Sequence, residues 1–326
     1  MVLLWIKTHK KTTVVIKKGL VLRSTGLWYD VQDEAGKHIR ARLEGKIRLK
    51  NEKATNPVAV GDYVELATDP LNEAQASIKS VLPRQNYVSR LSPHKKAHAH
   101  IIAANLDQVI LVVTLALPRT SLGFIDRFLA VVESFRIPCI LVFNKSDIIS
   151  QDPEGQAYQD EVRRMYEHIG YKTFAVSALA DTDLSILQGQ IKDKKTLFSG
   201  HSGVGKSTLL NRLAPHISAQ KTQEISDFSL KGVHTTTFAE MFEVAPQTYI
   251  IDTPGIKEMG LHNIKPEEIS HYFPEMRHLL NSCKYANCTH THEPQCMVIK
   301  ETESGYIFQS RYYNYLSMFR NEDNRK

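Results

Sequence analysis

The 326-residue sequence predicts a multidomain chain in three parts: a small β-barrel, a doubly wound α/β domain, and a compact helical segment. Three changes of texture point to it. Short, turn-broken strands run from Gly19 to about Ser89. Near-continuous apolar strands separated by helical stretches begin near Leu106. After Gly260 the chain becomes helical and rich in histidine and cysteine.

In the first part, the runs Gly19–Arg23, Leu27–Val31, His38–Leu43, Asp62–Leu66 and Ala76–Val81 read as about five strands. Basic and aromatic residues are mixed among them (Trp28, Tyr29, Arg40, Arg42, Arg48), which fits an OB-type barrel, although an SH3-like barrel would give the same pattern. Residues 1–100 hold 18 Lys or Arg against 9 Asp or Glu, in a chain whose formal net charge is +6. A basic first third on a near-neutral remainder is the footprint of docking on phosphate backbones; a merely solvated basic face is the competing reading. The apolar run Val2–Ile6 is far short of the roughly 20 residues that cross a bilayer, so neither secretion nor membrane insertion is expected. The four cysteines suit a reducing, cytoplasmic compartment: Cys139 is alone, and the other three cluster with histidines.

In the second part, Val109–Thr114, Ile140–Phe143 and Tyr249–Asp252 are uninterrupted apolar runs, as strands buried on both faces require. Helical stretches at Ile125–Phe135 and Asp160–Ile169 separate them. Gly200, His201, Ser202, Gly203, Val204, Gly205, Lys206 and Ser207 match G-x-x-x-x-G-K-[ST]. A strand-like Lys195–Ser199 precedes the motif and a helical Thr208–Leu213 follows it. Glycines let successive N–H groups turn inward on phosphates, with the helix start adding its positive dipole end. Lys206 carries charge to the β- and γ-phosphates, and Ser207 offers a hydroxyl to Mg²⁺. Asp252-Thr-Pro-Gly255 follows a strand that brings Asp252 to the same edge to hold Mg²⁺, with the Gly255 N–H placed to sense the γ-phosphate. Between these motifs, Lys231–Thr237 resembles a switch loop in which Thr236 is the favoured Mg²⁺ ligand.

Asn144, Lys145, Ser146 and Asp147 end the strand Cys139–Phe143 as N-K-x-D, the guanine-reading motif of GTPases. A carboxylate at Asp147 accepts from two adjacent N–H groups of guanine that adenine lacks, which disfavours an ATP-dependent enzyme. Asn144 is expected to make an amide contact near N7, and the Lys145 stem to cover the ring. Ser177-Ala178 resembles the S-A motif whose backbone N–H reaches guanine O6. These base motifs precede the P-loop, the reverse of the usual order, so the chain reads as a circularly permuted GTPase. In the third part, Cys283-x4-Cys288-x-His290-x5-Cys296 supplies the ligands of a closed tetrahedral Zn²⁺ site, with His292 and His278 close enough in sequence to compete.

Taken in chain order, N-K-S-D, the P-loop, H-T-T-T, D-T-P-G and the cysteine–histidine cluster resemble the ribosome small-subunit-dependent GTPase A family, RsgA or YjeQ, from about residue 19 to 320. The resemblance implies an OB domain over 1–95 (with 1–18 unassigned), a permuted GTPase domain over 96–262 and a zinc domain over 263–326. It implies nucleotide contacts at 144–147 and 200–208, the last being Thr208, and zinc ligation by Cys283, Cys288, His290 and Cys296. It also implies a cytoplasmic protein, expected to be a monomer, that uses GTP, Mg²⁺ and Zn²⁺ on the 30S subunit and its rRNA, with that particle stimulating hydrolysis. Ile256 stands where many GTPases place a water-orienting glutamine, so slow intrinsic turnover is expected, with His234 an in-chain substitute. The competing class is a nucleotide-independent RNA-binding module, separable by its indifference to GTP.

Overall fold

The computed structural model describes residues 15–44, 56–69, 72–91, 99–180, 184–215, 239–252 and 264–324. Arg48, His234, Thr236, Gly255 and Ile256 lie outside the described residues. Strands β1 (Val15–Ser24), β2 (Tyr29–Asp33), β3 (His38–Leu43), β4 (Tyr63–Asp69) and β5 (Asn72–Val81) hydrogen-bond in the order β1-β2-β3-β5-β4, and β4 closes back on β1. The β3–β5 pair is parallel, whereas the other barrel pairs are antiparallel. This non-sequential closure is the Greek-key path of an OB barrel, which resolves the alternative left open by the strand pattern. Its interior is filled by Val21, Tyr29, Val31, Ile39, Val64, Leu66 and Ile78. Tyr29 is therefore a core residue, while Trp28 stays at the surface with the Arg40 and Arg42 guanidinium carbons 4.6 and 3.6 Å from its ring centre.

A two-stranded pair, β6 (Tyr87–Leu91) and β7 (Ala99–Ala104), leads to the second sheet, and the domain boundary expected at residue 95 lies outside the described residues. That sheet contains β8 (Gln108–Val113), β9 (Cys139–Phe143), β10 (Lys172–Ala175), β11 (Lys195–Ser199), β12 (Glu240–Ala245) and β13 (Thr248–Asp252), in the order β10-β9-β8-β11-β13-β12. Five strands are parallel, and β12 runs antiparallel at one side. Helices α1 (Leu122–Ser134), α2 (Ser146–Ile149), α3 (Pro153–Ile169), α4 (Ser185–Ile191) and α5 (Lys206–Leu213) accompany it. Successive residues of β8 and β9 enter two separate apolar cores, which explains their uninterrupted hydrophobic runs. Helix α3 starts seven residues before the expected Asp160. Asp152 caps it by accepting from the Glu154 and Gly155 N–H groups, and Pro153 fixes the first turn.

Chain order departs from sheet order between β8 and β11, which places a topological switch point beside the P-loop strand. The barrel and this sheet join through β1 and β12, with Arg23 opposite Glu240. The last part holds a 3-10 turn (Pro266–Tyr272), then α6 (Pro274–Arg277), α7 (Met297–Glu303) and α8 (Gln309–Phe319). Its core of Ile269, Phe273, Met276, Val298, Ile307, Tyr315 and Met318 packs against Ala130 of α1. No helix among the described residues is long and apolar enough to cross a membrane.

Candidate nucleotide site and metal centre

Three loops and the end of β13 meet at the C-terminal edge of the second sheet. The 200–205 loop leaves β11 with Gly200, Gly203 and Gly205 at positive φ. A Cβ at Gly200 would stand 2.4 Å from the Val112 oxygen, and one at Gly205 would stand 2.2 Å from Asn144 Nδ2, so both positions require glycine. Gly205 caps α5 in the left-handed conformation, leaving the first-turn N–H groups of Lys206–Leu213 directed at the loop. Ser202, Gly203 and Ser207 face solvent, Val204 is buried, and Lys206 and Thr208 are half-buried. The His201 ring lies 3.8 Å from that of Phe124 in α1. The Lys206 ammonium pairs with the Asp252 carboxylate at the end of β13, so the candidate phosphate-binding cation and the candidate Mg²⁺ ligand meet at one point.

Asn144 is 1% exposed and ties three motifs together. Its Nδ2 donates to the Val204 oxygen at 2.7 Å, and its Oδ1 accepts from the Ala178 N–H at 2.9 Å. The sequence places an Asn144 amide contact near guanine N7 and an S-A backbone N–H at O6; in the structure the amide holds the P-loop to the Ser177–Ala178 loop and engages the Ala178 N–H. Lys145 adopts φ 64° and its Nζ donates to the Leu117 oxygen at 2.6 Å, which lays its stem along the site. Ser146 and Asp147 open α2, half-buried. Ser177 Oγ accepts from the Ala180 N–H at 3.0 Å, tightening that loop.

The metal cluster is built as its spacing predicts, with the four ligand atoms of Cys283, Cys288, His290 and Cys296 all within 4.8 Å of one another. Cys283 Sγ lies 3.6 Å from His290 Nδ1 and 3.9 Å from Cys296 Sγ, and His290 Nδ1 lies 3.3 Å from Cys296 Sγ. A tetrahedral ion with thiolate bonds of about 2.3 Å and an imidazole bond of about 2.0 Å separates its ligands by roughly 3.5–3.8 Å, so the cluster fits one. His290 is buried and His292 exposed, its Nδ1 beside Thr291 Oγ1 at 2.8 Å. Burial lowers the His290 pKa and keeps the ring in its metal-binding neutral form. Burial also pushes the Cys288 thiol up to about 12, a cost that a coordinated cation offsets.

Sequence reasoning missed Glu293, which accepts from the N–H groups of Thr289 (2.6 Å), Thr291 (2.9 Å) and His292 (3.2 Å) and so shapes the turn that presents His290. Burial works to raise its carboxyl pKa, but a further hydrogen bond from the Thr289 hydroxyl, with the Thr289 and His292 N–H groups, holds it well below the ordinary carboxylate range. The T-H-T-H-E run offered a signal in retrospect, an acid just after a turn of donors. Tyr312 and Tyr315 hydroxyls donate to the His290 and Thr289 oxygens at 2.8 and 2.6 Å, anchoring the same turn to α8.

The chain matches the family model for the RsgA GTPase over residues 81–262 and that for the RsgA N-terminal domain over 18–76. It is 48% identical over 309 residues to small ribosomal subunit biogenesis GTPase RsgA 2 of Bacteroides thetaiotaomicron, covering 95% of this chain and 98% of that protein. A relative in Cytophaga hutchinsonii, a small ribosomal subunit biogenesis GTPase RsgA, is 46% identical over 95% of this chain and 100% of its own length. Among solved structures, YjeQ from Thermotoga maritima superposes with a TM-score of 0.76 at 33% identity, covering 96% of this chain and 100% of that one. YloQ, a circularly permuted GTPase, superposes with a TM-score of 0.74 at 28% identity, covering 98% of each. The permuted motif order, the OB barrel and the Cys3His cluster agree with these matches: the chain belongs to the RsgA GTPase family, whose members use GTP and Mg²⁺.

Proposed function

We propose that this GTPase acts on the small ribosomal subunit late in its maturation, hydrolysing GTP to GDP and phosphate and coupling nucleotide state to attachment. The observation carrying the reading is the convergence of Lys206, Asp252, Asn144 and the S-A loop at one sheet edge, in a chain whose relatives are named for that task. Backbone N–H groups of 200–208 cradle the phosphates. The Lys206 ammonium exchanges the Asp252 carboxylate for phosphate oxygens, freeing that carboxylate. Ser207 and Asp252 would hold Mg²⁺, with Thr236 the further ligand the sequence favours, and the Gly255 N–H would sense the γ-phosphate. When bound, Mg²⁺ would neutralise charge on the phosphates. Asp147 reads guanine, with Lys145 and Ser146 beside it. Ile256 offers the attacking water no hydrogen bond, so His234 or a group of the ribosomal particle orients it.

The barrel within 1–95 and its Trp28–Arg40–Arg42 face dock on rRNA, the 96–262 region hydrolyses GTP, and the 263–326 region is held by Zn²⁺ through Cys283, Cys288, His290 and Cys296. The protein works in the cytoplasm as a monomer. The test is co-sedimentation with purified 30S particles. We expect retention with a non-hydrolysable GTP analogue and release with GDP. Equal retention in both states would instead make it a nucleotide-indifferent RNA-binding module.

A further inference from the structure

We infer that Arg212 is a positioning residue for guanine, clamping the 177–180 loop so that the Leu179 backbone N–H becomes its donor to O6. Arg212 sits in the last turn of α5, the helix that begins with Lys206 and Ser207. A basic residue there ordinarily serves its own helix's carbonyl end. Here its Nη1 leaves the helix and donates to two carbonyls of another segment, Ser177 at 3.1 Å and Ala180 at 2.6 Å. The same loop is fixed from its other side by the Ala178 N–H on Asn144 and internally by the Ala180 N–H on Ser177 Oγ. Those bonds engage the N–H groups of Ala178 and Ala180. The Leu179 N–H has no partner among the described residues, and the residue is 80% exposed.

The inference rests on the proposed guanine site and deepens it. Asn144 and Arg212 together close a ring: P-loop, base loop, S-A loop, phosphate helix. Phosphate and base recognition are thereby built on one rigid frame, and a donor held in place loses little entropy on binding.

The test is a set of titrations on the full-length protein with GDP, IDP, which lacks the 2-amino group, and 6-thio-GDP, which keeps the N1 and 2-amino groups but replaces O6 with a poor acceptor. Arg212→Met keeps the aliphatic stem, and Arg212→Lys keeps the charge. In the wild type, both analogues should bind more weakly than GDP. In Arg212→Met, GDP affinity should fall about tenfold, as expected for one well-placed hydrogen bond. The GDP preference over 6-thio-GDP should shrink towards one, while the preference over IDP is kept and kcat changes little. Arg212→Lys should fall between. If the wild type binds IDP as tightly as GDP, the guanine site itself is misplaced. If IDP is discriminated but Arg212→Met leaves GDP binding unchanged, or weakens GDP and 6-thio-GDP equally, Arg212 does not position the O6 donor.

Discussion

Both ends of the Asn144 carboxamide are engaged within the protein, so its contribution to nucleotide binding passes through the loops it joins. Asp147, half-buried at the start of α2, is the residue proposed to read the base directly. Asp147→Asn reverses the hydrogen-bond polarity offered to N1 and the 2-amino group. GTP affinity should fall at least about a hundredfold while xanthosine nucleotides gain, measured by fluorescence titration. Lys206→Ala removes the counter-charge of both Asp252 and phosphate, and single-turnover hydrolysis should drop by at least about two orders of magnitude with the fold retained. Glu293→Ala unties the turn that presents His290, and metal affinity should weaken about tenfold or more in a chelator competition. The clustering of Cys283, Cys288, His290 and Cys296 and the meeting of Lys206 with Asp252 were legible because motif spacing along the chain carries them. Arg212 and Glu293 were not, because most of their partners are backbone groups that only the fold brings near, carbonyls for Arg212 and N–H groups for Glu293.

At the scale of elements, β8 and β9 were legible from their apolar runs, since a strand buried on both faces has no polar alternation to confuse. The early start of α3 was not, because none of residues 153–158 is buried and the Asp152–Pro153 start signal carries no apolar periodicity. The docking of α8 on α1 was equally invisible. Arg311, 1% exposed, donates to Asp126 at 2.6 Å and to Glu275 at 2.7 Å, while Asp126 also accepts from Tyr166 at 2.7 Å and from Asn314. Removing the guanidinium strands two buried carboxylates. Arg311→Met should therefore destabilise the C-terminal segment by about 3–5 kcal/mol in denaturant titrations. Burial raises the Asp126 pKa above its ordinary value, so the folded state binds a proton more readily than the unfolded one. The penalty in the variant should accordingly shrink as pH falls from 7 towards 5.

Across the whole molecule, the barrel and the GTPase sheet form one hydrogen-bonded sheet of eleven strands, joined at β1–β12. The Gln32 amide reinforces this seam by donating to Glu243 at 2.7 Å and accepting from the Tyr249 hydroxyl at 3.0 Å. Three parts could be read from composition and motif order, but not this seam, because strand pairing between distant segments leaves no local mark. On the barrel's outer face, Arg40 and Arg42 stack on Trp28, and each true phosphate contact there should contribute about one unit to the log–log salt slope of 30S affinity. Arg42→Ala should flatten that slope by about one. If the ribosomal particle completes the catalytic site, steady-state GTP hydrolysis should be slow with the protein alone and rise by at least about tenfold with purified 30S subunits, an increase abolished in Lys206→Ala. A rate unchanged by 30S at saturating GTP would mean that the particle adds nothing to catalysis.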